Sequence, residues 1–338
     1  MANETLILYQ ILIFLSLPLV FENIWIFYAP WIFLLFWEYG NIADSKNGEI
    51  RYQAMQITDF HKLKTLKVAI ANSIAEITFC RPRKLNSMNT LFWVELPSVL
   101  EAIDREAAAR VAIICANGEH FTAGMDLAVF EHMLSRFDGE PARRAEQLRL
   151  GILELQHVFN VIEKIRFPVI AAIQGACVGG GVDLVCATDI RFCTEDAFFV
   201  IKETELGITA DVGTLQRLQH VMPSGLAREL AYTSRPMKAA EALACGFVNF
   251  VSKNHDQLMT HARNTAKDIA AHSPVAVHGT KLMLNYSRDH NVSDSLDYVA
   301  TWQAGMLQAA DMQEAFQAKK ERRASKFEEL YAHRSAIK

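Results

Sequence analysis

The chain of 338 residues has no Cys-x-x-Cys pair, no Gly-x-Gly-x-x-Gly fingerprint, no Gly-Lys-Ser/Thr phosphate loop, and no lysine or arginine before Lys46. Each absence removes a class of function. The six cysteines, at 80, 115, 177, 186, 193 and 245, sit mostly in apolar runs with no histidine at metal-ligand spacing. They read as reduced core thiols, not as a zinc site or a disulfide framework. The glycines serve neither a dinucleotide fold nor a triphosphate loop of the usual pattern. Charge of one sign is also scarce: beyond residue 54 the chain carries 32 bases and 33 acids, net -1. A body this close to neutral has no general pull toward nucleic acid.

What is abundant is hydrophobic sequence, 51% of the residues, which is ample for a large buried core. Part of it lies apart. Residues 6–37 are almost entirely Leu, Ile, Phe, Val and Trp, broken by Pro18, Glu22, Asn23 and Pro30. The missing early bases fit neither a secretory signal nor an arginine-rich transit peptide. Each unbroken apolar stretch is shorter than the ~20 residues of a spanning helix, so a membrane anchor has to tolerate Glu22 or form a re-entrant hairpin. Three expectations stand for residues 1–54: an anchor, an arm that docks on a partner, or an artefactual start, since Met55 opens MQITDFHKLKTLKVAI like an ordinary soluble domain.

From there the pattern alternates. Residues 67–80 (KVAIANSIAEITFC) hold two β-prone runs around Ala71-Asn72-Ser73 and predict a hairpin. Residues 111–115 (VAIIC) and 168–173 (PVIAAI) predict buried strands, and 190–193 and 197–201 two more. Leu148, Ile152, Leu155, Phe159 and Ile162 recur every three or four residues, which predicts an amphipathic helix between them. A short apolar helix is expected from about Gly181. Strand and helix in alternation argue an α/β core over 55–253. Beyond it, residues 258–271, 274–286, 293–310 and 312–330 all read as helices. A helical tail of this kind, 254–338, predicts packing between subunits and a homo-oligomer. The basic run Lys319, Lys320, Arg322, Arg323 and Lys326 reads as a solvated helix face.

Two glycine-bearing turns carry the candidate chemistry. One, EHFTAGMDL at 119–127, follows the VAIIC strand; the other, QGACVGGGVD at 174–183, follows PVIAAI. Gly179, Gly180 and Gly181 at a strand-to-helix junction leave the first helical N–H groups unpaired at the positive end of a dipole. N–H groups from two separate turns can converge on one oxygen, each worth on the order of 3 kcal/mol at a transition state. Downstream, IKETELGITADVGT at 201–214 spreads Glu203, Glu205 and Asp211 along an apolar run. Lys202 and Glu205 read as surface partners. Asp211 is also a candidate N-cap for a helix from Val212, and Asp126 for the helix after its turn. His120, His157 and His220 lack a nucleophile or metal partner and read as structural.

Arg81-Pro82, Asn86-Ser87-Met88-Asn89, Phe121 through Leu127 (FTAGMDL), Gly175 through Gly181 (GACVGGG) and Asp311 through Phe316 (DMQEAF) follow in an order that resembles the enoyl-CoA hydratase/isomerase, or crotonase, superfamily. The resemblance covers roughly residues 60–330. It implies an α/β fold built as a spiral of ββα units, a C-terminal helical trimerisation region, and acyl-CoA thioester substrates. It also implies no cofactor, CoA being part of the substrate. Carried onto this chain, the N–H groups of Met125 and Gly180 hold the thioester oxygen as it becomes an enolate. Ala123 lies beside the CoA adenine, and Met88, Gly124, Asp126 and Gly179 complete the substrate site. The acids Asp183, Glu203 and Asp211, with GGGVDLV, DIRFC, DAFF and ADVGTLQRL around them, resemble the dienoyl-CoA isomerase branch, which serves unsaturated fatty acid β-oxidation.

The chemistry suits such a set. Moving a diene from 3,5 to 2,4 removes a proton at C2 and adds one at C6, four carbons away. Two carboxylates on opposite sides of an extended pocket reach both ends, each contributing about 10²- to 10⁴-fold. Burial and mutual repulsion raise at least one acid's pKa. Glu203 and Asp211 are the expected pair, with Asp183 orienting or polarising the site. Two rivals remain: an enoyl-CoA hydratase, in which Asp211 goes unexplained, and an RNA-binding relative using the basic tail. The ending Ala336-Ile337-Lys338 is not the Ser-Lys-Leu peroxisomal address. The expected location is bacterial cytoplasm, or mitochondrion or peroxisome in a eukaryote, with membrane association only through residues 6–37. The expected assembly is a homotrimer or a dimer of trimers.

Overall fold

The computed structural model describes residues 55–336 except 137, 138 and 308, so the apolar run at 6–37 lies outside the described residues. β1 (Leu66–Ala71) and β2 (Ile74–Phe79) pair antiparallel across a two-residue turn. Asn72 and Ser73 in that turn both take positive φ, 52° and 58°. This is the twist that a tight hairpin requires, and Asn tolerates it. Next come α1 (Thr90–Arg105), β3 (Val111–Ala116), α2 (Leu127–Arg136), α3 (Pro141–Lys164), β4 (Val169–Ile173), β5 (Ala176–Val178) and α4 (Gly180–Ala187). Then follow β6 (Ile190–Thr194), β7 (Phe198–Val200), α5 (Thr214–Leu218), α6 (Ser224–Thr233), β8 (Met237–Lys238), α7 (Ala239–Ala244) and β9 (Phe250–Ser252).

The strands form a six-stranded sheet in the order β1-β2-β3-β4-β6-β9 and a three-stranded sheet in the order β5-β7-β8. Every pairing in the larger sheet after the hairpin is parallel. Parallel pairing explains why β3 and β4 are apolar at every position: both faces of the sheet are covered. On one face Val111, Ile113, Cys115, Ile170, Ala172 and Phe192 pack against Leu258, Met259, Ala262 and Ala266 of α8 (His255–Ala270). The period-2 neighbours Ala112, Ile114 and Ala171 point the other way and are equally buried.

Helix α1 has no counterpart among the expectations above, and it holds Pro97 in its interior, where the ring removes a backbone donor. The Asn89 side chain caps it by accepting from Phe92 N–H at 3.1 Å. Buried Phe92, Leu96, Val99, Leu100 and Ile103 then carry it past the proline. All six cysteines are free thiols, four of them buried.

After Ser252 the described elements are all helices: α8, α9 (Pro274–Ser287), α10 (Val292–Met306) and α11 (Ala309–Glu321). The first of these is part of the core, so the change of character near residue 253 is not a break between units. The structure corrects the last helix, expected over 312–330 but ending at Glu321. Arg322 turns left-handed (φ 54°), and Arg323 folds back onto Glu314. Beyond it, Arg110 Nη2 donates to Phe327 O at 2.7 Å and Arg166 Nη1 to Tyr331 O at 3.1 Å. These carbonyls are satisfied by arginines of the core instead of by a helix. The basic run at 319–326 is exposed, but only Lys319 and Lys320 lie on the helix expected to carry it; Arg322, Arg323 and Lys326 follow its end.

Candidate active site

The two glycine turns come together because extended chain segments stitch them side by side. Thr122 N–H donates to Ala176 O at 3.0 Å, and Val178 N–H returns a bond to Thr122 O at 3.1 Å. On the other flank Met88 N–H donates to Gly124 O at 2.8 Å, Asp126 N–H to Met88 O at 3.0 Å, and Ala123 N–H to Leu85 O at 2.9 Å. Gly124 sits at φ 88°, and a Cβ there would lie 2.6 Å from Val178 O and 3.5 Å from Gly180 N. A Cβ on Gly180 would lie 3.9 Å from Met125 N and 3.2 Å from Met88 Sδ. At Gly124 only glycine permits this approach.

The result is two N–H groups, of Met125 and Gly180, held close together from separate turns. Among the described residues neither donates to a backbone acceptor. Gly180 is the first residue of α4, so its N–H has no partner within the helix. Such a pair can hold one oxygen on which negative charge develops.

The acids surround the same junction. Asp183, on the first turn of α4, is buried, and its Oδ1 accepts from Thr214 N–H at 2.6 Å. Burial raises its pKa to about 6 against the pull of that hydrogen bond, with repulsion from Asp211 adding to the rise. Glu203 opens a 3-10 turn (Glu203–Leu206) and is buried as well. Its Oε1 lies 3.4 Å from where a Cβ on Gly179 would stand, and its Oε2 has no partner among the described residues. Burial, then repulsion from Asp183, pushes its pKa up to about 7. Asp211 is half-buried and is raised above the ordinary carboxyl value, chiefly by burial. Three carboxyls that repel one another thus share one site, and a proton is held there near neutral pH.

The capping role considered for Asp211 is corrected by the structure. The helix starts at Thr214 with Gly213 before it, and its N–H goes to Asp183 from another element. Asp211 is left with a carboxyl free of that duty, and its carbonyl accepts from Gln156 Nε2 at 2.6 Å. Asp126 does cap, accepting from Ala128 N–H at 3.3 Å, and it also pairs with Arg81 at 3.5 Å and Ser87 at 3.1 Å. It braces the turn that carries Met125. Glu205 pairs with Lys202 at 2.6 Å on the surface, and His120 Nδ1 accepts from Ala176 N–H at 3.2 Å in a structural role.

Two residues near the site, Trp93 and Gln156, carry no signal in the sequence, and a third, Arg217, lies in the ADVGTLQRL run with no role read for it. Trp93 donates from Nε1 to Met88 O at 3.2 Å, and its ring edge lies 3.9 Å from the Cβ position of Gly180. Gln156 and Arg217 grip the segment around Asp211.

The family described as Enoyl-CoA hydratase/isomerase matches residues 69–330. The mitochondrial Delta(3,5)-Delta(2,4)-dienoyl-CoA isomerase of Mus musculus is 45% identical over 295 residues, 85% of this chain and 90% of that protein. The peroxisomal enzyme of the same name from Arabidopsis thaliana is 39% identical, covering 82% of this chain and all of that protein. Among solved structures, an enoyl-CoA hydratase from Bacillus anthracis superposes with a TM-score of 0.69 at 31% identity, over 80% of this chain and 99% of its own.

Proposed function

The chain belongs to the enoyl-CoA hydratase/isomerase family, and from that premise we propose that it is an isomerase converting 3,5-dienoyl-CoA to 2,4-dienoyl-CoA. The dienoyl-CoA isomerases match it over most of both chains, and this supports isomerisation over hydration. The structural observation that supports the reading is the acid set: Asp183 feels the charges of Glu203 and Asp211, and Glu203 Oε1 lies 3.4 Å from the Cβ position of Gly179, next to the Gly180 N–H.

In this mechanism the thioester oxygen accepts from the Met125 and Gly180 N–H groups, which acidifies C2. One of Glu203 and Asp211, ionised, removes the C2 proton. Negative charge spreads along the dienolate and is held at the oxygen by the two donors. The other acid, protonated, delivers its proton to C6. A carboxyl titrating near 7, as Glu203 does, can be found in either form at neutral pH. Asp183, tied to Thr214 N–H, stays in place and tunes its neighbours. No cofactor enters, since CoA is part of the substrate; Ala123, Gly124, Asp126, Met88 and Gly179 line or brace its path.

A hydratase would use Glu203 and Asp183 but has no task for Asp211, and a near-neutral body gives RNA no purchase. The relatives named above are mitochondrial and peroxisomal, which favours an organelle of a eukaryotic cell over bacterial cytoplasm. Exposed Leu284, Leu296 and Phe316 on the C-terminal helices support burial against another copy of the chain, which we read as a homotrimer or a dimer of trimers.

The test is to offer the purified protein a 3,5-dienoyl-CoA and, separately, a 2-enoyl-CoA. Isomerisation brings the diene into conjugation with the thioester and raises the near-ultraviolet absorbance. Hydration of the second substrate without isomerisation of the first would overturn the reading.

A further inference from the structure

Helix α3 carries Gln156, Asn160 and Glu163 at spacings of four and three, so the three polar side chains share one face. All of them reach toward the segment that bears Asp211. Gln156 Nε2 donates to Asp211 O at 2.6 Å. Asn160 Oδ1 and Glu163 Oε2 both accept from Arg217 Nη2, at 2.5 and 2.7 Å, and Arg288 holds the other oxygen of Glu163.

Arg217 is buried, and the Nη1 end of its guanidinium closes on Gly213. A Cβ on Gly213 would fall 1.9 Å from Arg217 Nη1, at a φ of 127°. The next residue, Thr214, supplies the N–H that anchors Asp183. Packing alone does not account for an arginine here. Its Nε is buried and meets no acceptor among the described residues, so a neutral side chain would avoid both an orphaned donor and a desolvated charge.

We propose that Arg217 is a positioning residue for the reaction: mounted on the α3 face, it fixes the segment 211–214 and so aims both Asp211 and the Thr214 N–H that anchors Asp183. The proposal rests on the isomerase reading. Arg217 acts through charge as well as through shape. Asp183 is faced by the carboxyls of Glu203 and Asp211, the thiols of Cys177 and Cys186, and the guanidinium of Arg217. Burial dominates and raises Asp183, and Arg217 is the cation that draws it back toward the ionised form.

Three variants of the full chain test this: Arg217→Met, Arg217→Lys and Glu163→Gln. Displacing Asp211 by a fraction of an ångström lowers kcat of Arg217→Met by roughly 30- to 100-fold, with KM within about threefold of wild type. The acidic limb of its kcat profile moves to higher pH. Arg217→Lys restores the charge but not the fork onto Asn160 and Glu163, so the pH limb returns while kcat recovers only in part. A lower melting temperature with kcat and pH limb unchanged would reduce Arg217 to a packing residue and overturn the proposal. Should Arg217→Met not fold, Glu163→Gln keeps Arg217 and its Asn160 bond and is expected to lose kcat in the same direction, by about three- to tenfold; an unchanged kcat and pH limb there would overturn it equally. If wild type lacks isomerase activity, the function reading fails separately. The Asp183 carboxyl titrated by 13C NMR, assigned with Asp183→Asn, still decides: its midpoint rises in Arg217→Met, and an unmoved midpoint overturns the proposal.

Discussion

Replacing Gly124 by alanine strikes the oxyanion turn without touching any acid. A Cβ at this position would stand 2.6 Å from Val178 O, where ordinary contact begins at 3.4 Å, so the two turns must part by roughly 0.8 Å. The backbone adds to the strain: φ of 88° is outside what an L side chain adopts readily, at about 1–2 kcal/mol. Parting the turns moves Met125 N–H away from Gly180 N–H, so one of the two donors no longer reaches the oxygen. Loss of a single donor of this type lowers kcat by about 10²- to 10³-fold. The expected result for Gly124→Ala is therefore a kcat reduced about 10²-fold, with KM within a few-fold, in the absorbance assay with 3,5-dienoyl-CoA. Gly225→Ala is the control. Gly225 lies in α6 with no atom within 4 Å of its Cβ position, so alanine there is neutral or slightly stabilising and leaves kcat alone. A Gly124→Ala enzyme that keeps a third or more of wild-type kcat would refute the oxyanion geometry.

Asp211→Asn keeps size and removes the proton-transfer group; kcat falls by about 10²- to 10⁴-fold, and a fully active variant would remove Asp211 from the mechanism. Glu203→Gln loses activity similarly but gains stability at high pH. Because the folded-state pKa of Glu203 is raised from 4.5 to about 7, its ionisation opposes folding: stability is full below pH 4.5 and declines as pH rises through 7. Glutamine removes that decline, so in urea unfolding the variant matches wild type near pH 4 and exceeds it at pH 8 by on the order of 3 kcal/mol; a difference that stays flat across that range would contradict the assignment. Lys281→Met breaks a buried hub, since Nζ donates to Ile162 O at 2.6 Å, Phe167 O at 2.9 Å and Asp189 Oδ2 at 2.9 Å. Stability drops by about 3 kcal/mol with kcat preserved in the folded fraction, checked by denaturant melts; a drop below 1 kcal/mol would contradict this.

Much of this was legible because local chemistry and tertiary role agree. The turn at Asn72-Ser73, the apolar β3 and β4, and the glycine junction at 179–181 each satisfy a backbone or burial requirement that their own residues announce. The carboxylates stood out for the same reason in reverse: acids in an apolar run demand an explanation. What failed to show were features made by distant partners. Helix α1 has no counterpart among the expectations, and the disruption by its interior Pro97 is outweighed by the buried face around it. The end of α11 depends on Arg110 and Arg166, more than 150 residues upstream, taking the carbonyls of the tail. Likewise nothing in 211–214 states that its helix is capped by Asp183, or that α3 grips it through Gln156 and Arg217. The capping alternative for Asp211 is not taken up because a competing acceptor, Asp183, lies 28 residues away in sequence and takes the Thr214 N–H in space.

The division of labour between two carboxylates is tested most directly by a single turnover of 3,5-dienoyl-CoA in D2O, with the 2,4-dienoyl product analysed position by position. Two separate groups, one taking the C2 proton and one already exchanged with solvent, yield a product with deuterium at C6. Protium transferred from C2 to C6 would contradict this, because it requires one group to serve both ends.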